Sequence, residues 1–578
     1  MLFAYFGLLR AKKHKKMKKR VFLFLFLLTA FIGRNYAQWG FSAQTVNGQW
    51  IMCTVIDDTA HTVSVSKFDN STSTSGDLVI PSTVTYDGQT YTVIGIAYTV
   101  YVEVGWGGHW FTFGDGFVDC SGLTSVTIPN TVTCIGPNAF ASCSGLTSVT
   151  IPSAVTYIGH GAFRDCSGLT SVNFNADSCT YMNPLYDGHY ELVFDGCSNL
   201  TTLNIGNNVK VIPQEAFCGC SGLTSVTIPR AVTTIDFNAF GNCSGLTTVN
   251  FNADSCTNRG GSDGVFNGCS SLTTINIGNN VRYIPDGIFS TYDHSNGNIT
   301  SLTLPNSLIS IGEYAFGGCS GLTSLTLPDA LETIGEGAFY VCSGLTTVSI
   351  PRTVKYIGDA AFGGCEGLTS VDMHADSCTY MGSVSSSSGS VYSAFYNCPN
   401  LATLNIDENV KNIPAAAFAG CTGLMSLRVP SSVERIGDRA FSDCYNISRI
   451  DMLSDVPPSI MGGTFYNVAT TVPIWVPCGA SETYRNASFW SMFINYHEDC
   501  GSEGIDPAEA EGCRIAAESG VLRIEGAAGK SVRIFDMAGR LLVSEDGAQE
   551  SQRFAMPAGG VYLVQVGEAP AQKVVVVK

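Results

Sequence analysis

From Cys120 onward, apolar and polar positions return every 23 residues. One unit reads Cys-Ser-Gly-Leu-Thr-Ser-Val-Thr-Ile-Pro from Cys120, then Val132, Ile135-Gly136 and Ala139-Phe140. Further units open at Cys143, Cys166, Cys197, Cys220, Cys243, Cys269, Cys319, Cys342, Cys365, Cys398, Cys421 and Cys444. One more carries Asn296 at the Cys position, with Ile299, Leu302 and Leu304 in the apolar slots, and an incomplete unit, Leu78–Pro81, leads the series. Such a period marks a stacked array of about fifteen coils. A unit this short cannot bury its own apolar residues, so neighbours must supply the core. Leu123, Val126 and Ile128 are expected to point inward, with a short strand at Val126–Ile128. Pro129 ends that strand because it has no amide hydrogen, Val132 and Ile135 return the chain, and Ala139-Phe140 close the coil.

Phe140 recurs as Phe163, Phe194, Phe217, Phe240, Phe266, Phe289, Phe316, Phe339, Phe362, Phe395, Phe418 and Phe441. Each buried Phe is worth roughly 1.5–3 kcal/mol, which makes this column the main expected source of stability. At about 4.8 Å per coil the array predicts a rod on the order of 70 Å long. The pattern Leu-x-x-Val-x-Ile-Pro-x-x-Val-x-x-Ile-Gly-x-x-Ala-Phe-x-x-Cys over residues 78–465 resembles the BspA-type leucine-rich repeat. The resemblance implies a right-handed leucine-rich-repeat solenoid, mostly β with an irregular convex side, on bacterial or protist surface proteins. Several members of that family attach to host matrix proteins or to other cells.

Between the inward residues of each strand, one side chain must point out. Those positions are Thr127, Thr150, Asn173, Asn204, Thr227, Asn250, Asn276, Thr303, Thr326, Ser349, Asp372, Asn405, Arg428 and Asp451. Eleven of the fourteen are Thr, Asn or Ser, a nearly uncharged hydrogen-bonding column. It suits an extended protein or glycan ligand; equally, Thr favours strands and Asn stacks in ladders with no ligand involved. Five coils carry extra residues, at about 98–116, 177–193, 254–265, 290–298 and 376–393. Three open with Ala-Asp-Ser-Cys-Thr, at Asp177/Cys179, Asp254/Cys256 and Asp376/Cys378, which points to duplication together with the coil. Solenoid insertions tend to gather on one face, often the binding face. The first is rich in aromatics, including Trp106, Trp110 and Phe111, and reads either as a contact patch or as a cap over the first coils. The Ser-rich stretch at 384–390 reads as a flexible loop.

The flanks divide the chain further. A basic run from Lys12 to Arg20, the apolar Val21–Ile32 and small residues through Ala37 have the layout of a secretory signal peptide over residues 1–37, with Met17 as an alternative start. The apolar run is too short to span a bilayer. Residues 38–77 read as an N-terminal β cap and 466–500 as a C-terminal cap; both protect open edges of the stack. Residues 501–512 are small and acidic, a linker. Residues 513–578 then carry about five short strands, at Val521–Ile524, Val532–Phe535, Leu541–Val543, Val561–Val566 and Val574–Val577, which suggest a small sandwich. The run Val532–Arg540 with Gly539, Pro557-Ala558-Gly559-Gly560-Val561-Tyr562, and the Lys573–Lys578 end is similar to the type nine (Por) secretion sorting domain. That resemblance implies export across the outer membrane of a didermic bacterium, removal of the domain and attachment at the surface. An accessory β-sandwich is the alternative.

Charge and chemistry narrow the function. Residues 1–37 hold nine of the 31 Lys and Arg and none of the 48 Asp and Glu, so the mature chain carries about −26. That balance argues against nucleic acid, whose binding rests on cationic side chains meeting phosphates, and no transmembrane segment is expected in the mature chain. Of 22 cysteines, thirteen sit at the repeat position, where parallel Cβ vectors disfavour disulfides and thiols pack as small apolar groups. Cys478 and Cys500 lie outside that column and can pair with each other. No Cys-x-x-Cys pair, His-Glu-x-x-His, Gly-x-Ser-x-Gly or phosphate loop occurs, so neither metal, cofactor nor catalysis is expected. The sequence therefore points to a secreted or surface-anchored binding protein, an adhesin for host or bacterial proteins. A glycan-capturing protein or a passive spacer is the alternative.

Overall fold

The computed structural model describes residues 40–68, 74–104, 107–113, 116–182, 192–258, 264–290, 297–384, 391–500, 514–518, 521–536, 540–549, 551–556, 560–567 and 572–576. The leader at 1–37 and the linker at 501–512 lie outside them. Among the described residues no helix is long and apolar enough to cross a membrane.

The repeat closes into a solenoid with three hydrogen-bonded sides. In the unit from Cys120, Leu123, Val126, Ile128, Val132, Ile135, Ala139 and Phe140 are all buried. The first side is the expected ladder of strands such as Ser148–Ile151 and Ser171–Phe174, paired in parallel. A second ladder of two-residue strands, unforeseen in the sequence, runs through Cys134–Ile135, Tyr157–Ile158 and their equivalents. On the third side the Phe amide of one coil donates to a carbonyl of the next, as from Phe140 to Ala162 at 2.7 Å. Coils approach so closely that a Cβ on Gly145 would lie 2.4 Å from the Ser121 carbonyl oxygen. Where Asn replaces this glycine, its side chain bonds the same carbonyl instead: Asn199 Nδ2 donates to Ser167 at 2.8 Å and Asn446 Nδ2 to Thr422 at 2.7 Å.

Proline controls how complete the first ladder is. At the slot that follows each strand, Asn175, Gly206, Asn252, Gly278, His374, Asp407 and Leu453 donate their N–H to the preceding coil. Each of those coils is paired over its whole strand. Proline fills the slot at Pro152, Pro229, Pro305, Pro328, Pro351 and Pro430, and removes the donor. Pairing then shrinks to two residues before Pro152 and three before Pro305. Before Pro229, Pro328, Pro351 and Pro430 the ladder is interrupted among the described residues, which divides the face into separate sheets. Thr326 stands at such a site, between the interruptions before Pro328 and Pro351, and the strand expected around it does not form. The other two sides hold these junctions closed. Across the gap before Pro229, Val211–Ile212 pairs with Thr234–Ile235, and the Phe217 amide reaches Ala239 at 2.8 Å.

The phenylalanine column is longer than the repeat motif indicates, because Phe117 precedes it and Phe465 follows it. Successive rings stack with centroids 5.5 Å apart at Phe117–Phe140 and 5.7 Å at Phe441–Phe465, with small tilts. The column ends against Trp490, which is buried and donates Nε1–H to the Pro458 carbonyl at 2.8 Å. At the other end the antiparallel strands Gly40–Gln44, Trp50–Asp57 and Thr62–Lys67 join the second ladder through Gln89–Ile96. At the C-terminal end Ile474–Pro477 and Tyr496–Asp499 add two parallel strands to the first ladder, beside the helix Ser481–Asn486. A Cys478–Cys500 disulfide ties this segment together.

The last segment forms two antiparallel sheets around one core of residues such as Ile515, Leu522, Ile534 and Val564. Its described residues form seven strands rather than about five. The additional ones, Arg514–Glu518 and Ser551–Ala555, were hidden because they carry few apolar residues.

Replacing a mid-column phenylalanine tests this packing. Phe266→Ala should cost about 3–5 kcal/mol by leaving a void between two stacked rings. The measurement is the shift of the urea midpoint, and a change below about 1 kcal/mol would contradict the stacking argument.

Candidate functional site

The strand ladder presents its outward column as the sequence placed it. Thr127, Thr150, Asn204, Thr227, Asn276, Thr303 and Thr326 are exposed, and Asn173 and Asn250 are half-buried. The amides bond along the stack. Asn173 Nδ2 donates to Thr150 Oγ1 at 3.1 Å and Asn204 Nδ2 to Asn173 Oδ1 at 2.8 Å. The same triad returns as Asn250 on Thr227 at 3.3 Å and Asn276 on Asn250 at 2.9 Å. Each amide keeps at least one donor hydrogen and one acceptor lone pair outside these bonds.

The outward column runs further than the repeat pattern indicates. Register continues it from Arg428 and Asp451 to Trp475 and His497 in the C-terminal segment. Trp475 and His497 stack with centroids 4.8 Å apart, and the Arg449 guanidinium lies 4.6 Å from the Trp475 ring centre. The signal missed was the alternation in Ile474–Pro477, which carries no Cys or Phe marker once the repeat ends.

Ion pairs decorate the same face. Arg230 Nη2 meets Asp254 Oδ2 at 2.7 Å, so the first residue after a ladder proline clasps the carboxylate of the next coil's Ala-Asp-Ser-Cys motif. Arg352 lies 4.0 Å from Asp376 and 3.5 Å from Asp407, and His374 Nδ1 is 2.9 Å from Asp407 Oδ2. The His374 contact, bonds from Asn409 and the nearby Arg352 hold the Asp407 carboxyl well below the usual carboxylate range. On the second ladder Tyr356 and Tyr380 stack at 4.7 Å, and the Tyr380 hydroxyl donates to Asp359 at 2.7 Å.

The aromatic insertion is a hairpin: Tyr98–Val104 pairs antiparallel with Gly107–Phe113, the strand that contains Trp110 and Phe111. Trp106 lies outside the described residues, as do Gly539, Gly559, Lys578 and the loop at 385–390. Gly560 and Tyr562 fall in the strand Gly560–Val566, with Tyr562 buried, and Lys573 in Gln572–Val576.

The cysteine column is a stack of buried thiols. Cys143 Sγ donates to the Phe117 carbonyl at 3.1 Å and Cys166 to Phe140 at 3.1 Å, and the bond recurs along the array. Burial pushes the Cys143 and Cys444 thiols up from 9.0 to about 12. Cys478, Glu498 and Cys500 are the one group among the described residues spaced to hold a metal, and two of its sulfurs are spent in the disulfide.

Family models match the chain in two parts. Six copies of the BspA type leucine rich repeat region fall within residues 114–185, 190–296, 290–388 and 391–497. Residues 502–576 match a domain of unknown function, DUF6383. Among solved structures, a leucine-rich repeat protein from Bacteroides ovatus is 26% identical over 78% of this chain and 98% of its own, with a TM-score of 0.45. A leucine rich cell surface protein from Faecalibacterium prausnitzii is 22% identical over 81% of this chain and 96% of its own, with a TM-score of 0.26. The pneumococcal vaccine antigen PcpA is 18% identical over 77% of this chain and 95% of its own, with a TM-score of 0.32. No curated protein matches the chain.

The thiol column sets an alkaline limit. A thiol whose pKa is raised on folding stabilises the fold fully below the unfolded value, and that contribution is lost as pH climbs through the folded value. Urea stability should therefore fall between about pH 9 and pH 12. Replacing Cys143 and Cys444 with Ala should flatten the decline, and an unchanged slope would remove these thiols as its cause.

Proposed function

Since the chain belongs to the family defined by the BspA type leucine rich repeat region, we propose that it is an extracellular adhesin that binds host or bacterial surface proteins. The observation that carries this reading is the exposed Thr/Asn column, which a stiff hydrophobic stack holds in register from Thr127 to Asn276 and beyond. Leucine-rich repeats of this kind are typically non-catalytic binding modules. A rigid row of near-identical polar positions supports many weak contacts at once, and linked contacts multiply into useful avidity.

The export route completes the reading. Residues 1–37 act as a secretory leader, and the C-terminal β domain serves as the type nine sorting signal, with Gly539, Gly559, Gly560, Tyr562, Lys573 and Lys578 as its marker positions. The secretion machinery is then a second partner, and the mature solenoid resides at the outer surface of a didermic bacterium. The motif likeness at Val532–Arg540 supports this assignment, as does a C-terminal segment that folds around its own core.

Capture on immobilised matrix and bacterial surface proteins tests the adhesin reading. Saturable binding should appear, and Thr150→Lys with Thr227→Lys and Thr303→Lys should weaken it at least tenfold. Removal of residues 98–116 measures the part played by the aromatic hairpin. Binding indifferent to the charged column, or no protein captured, would refute the assignment of this face.

A further inference from the structure

Two of the proline interruptions open grooves with matching linings. The first, of 610 Å³, lies between the strands Thr202–Ile205 and Ser225–Ile228 and is lined by Asn204, Thr227, Pro229, Arg230 and Asn252. The second, of 370 Å³, is lined by Thr326, Ser349, Pro351, Arg352 and His374. Residue for residue these occupy the same coil positions: two successive ladder side chains, the proline, the arginine after it, and the first residue past the following strand. In each case the arginine approaches the Asp of the next coil's Ala-Asp-Ser-Cys motif, Arg230 at 2.7 Å from Asp254 and Arg352 at 4.0 Å from Asp376, with Asp407 as the second carboxylate of Arg352 at 3.5 Å. The third copy of that motif provides an internal comparison. There Ser153 follows Pro152 in place of arginine, and the junction stays partly zipped, Ser125 with Ser148 and Val126 with Val149. Among the three coils that precede this motif, arginine and the open junction occur together twice and are absent together once, while the junctions before Pro328 and Pro430 open with Asp329 and Ser431 in the arginine position.

The dimensions decide what such a groove admits. Paired strands lie about 4.8 Å apart, and a third strand inserted between two others needs them about 9.6 Å apart. In the first groove the flanking strands still bring Cα atoms within 8 Å of one another. A peptide strand does not fit between them, whereas hydroxyl groups can reach the N–H and C=O groups that the interrupted ladder leaves along both walls. Neither lining includes a Phe, Tyr or Trp ring, and apart from proline the large apolar members belong to the solenoid coils, such as the buried Leu203 and Leu327. The aromatic anchors that dominate protein interfaces are therefore missing. What the first groove does offer is a guanidinium 65% exposed beside a carboxylate, flanked by amides and a hydroxyl. A guanidinium donates and a carboxylate accepts, so a pair of neighbouring sugar hydroxyls can satisfy both at once.

We propose that the two grooves are duplicate subsites for a polysaccharide, each reading vicinal hydroxyls through its arginine and the neighbouring carboxylate. Thr227 and Ser349 are five coils apart, so the subsites lie about 24 Å from each other along the rod. One polymer chain can bridge that distance and bind both, while a free monosaccharide gains nothing from the second. This activity goes beyond the protein recognition proposed above and does not depend on it.

The test uses the purified chain from Gln38 to Lys578, with yeast mannan, dextran, xylan, arabinogalactan and polygalacturonate immobilised in turn. At least one polymer should be captured. Arg230→Gln and Arg352→Gln should each weaken capture about tenfold, and the double variant about a hundredfold. Tyr283→Ala, exposed on the second ladder between the grooves, should leave it unchanged, and periodate cleavage of the polymer's vicinal diols should abolish it. Arg230→Lys, which keeps the charge but loses the guanidinium fork, should behave like the Gln variant, and an unshifted thermal midpoint shows that each variant is folded. The proposal fails if no polymer is captured, if the double variant binds like the parent, or if binding survives periodate. Protein capture is measured on the same preparations, so its loss with glycan capture intact refutes the adhesin reading alone, and the reverse refutes only this one.

Discussion

A coil of 23 residues buries almost nothing by itself, so each feature of this protein depends on one coil covering the next. The phenylalanine stack is the densest expression of that dependence. Every ring from Phe140 to Phe441 has a ring above and a ring below, and each is buried. Such an array has no natural end. Its apolar faces and unpaired strands would invite further stacking, and both ends are covered in this molecule. The antiparallel strands from Gly40 to Lys67 close one side of the first coils, and Trp490, Tyr484 and the Cys478–Cys500 disulfide close the last.

The three hydrogen-bonded sides of the solenoid are not equivalent. Where the second ladder pairs, it is joined by two-residue strands, and the Phe amides on the third side bind coils at the open junctions as well as at the paired ones. Among the described residues the first ladder is interrupted at four of its proline slots, before Pro229, Pro328, Pro351 and Pro430, and stays paired before Pro129, Pro152 and Pro305. The core is thereby held fixed from two sides while the third varies its spacing. A face with a rigid foundation and locally opened strands can alternate flat polar ladder with grooves, and the duplicated Arg–Asp pairs sit at two of those openings. The column thiols belong to the foundation. Each is small enough to pack between coils, and thiols such as those of Cys143 and Cys166 donate to a Phe carbonyl of the preceding coil. Burial keeps them protonated and so preserves that donor.

Much of this was legible in the residues. Leu123, Val126, Ile128, Val132, Ile135 and Phe140 recur with a fixed period, and a fixed period in a short unit admits few folds other than a stack. Alternation within Ser-Val-Thr-Ile was enough to place Thr127 and Thr150 outward. The second ladder was less visible because two residues are too few to show alternation. Phe117 and Phe465 escaped because neither is flanked by a complete repeat. Trp475 and His497 escaped for the same reason, since only the register of Ile474–Pro477 against Arg449–Met452 puts them on the ladder.

The sequence by itself determined the stack, its period, the inward and outward side chains and the end of the strand at the repeat prolines. These are properties of one coil, and local sterics, hydrogen-bonding capacity and apolar spacing set them. Only the tertiary structure decided what happens between coils. Pro152 leaves its junction partly paired while Pro229 leaves its junction open, although the two prolines sit in nearly identical sequence. The difference depends on how neighbouring coils lean on one another across all three sides, a balance of many small contacts that no single repeat encodes. The same balance brings Arg230 to Asp254 across 24 residues of chain and gives the face its grooves.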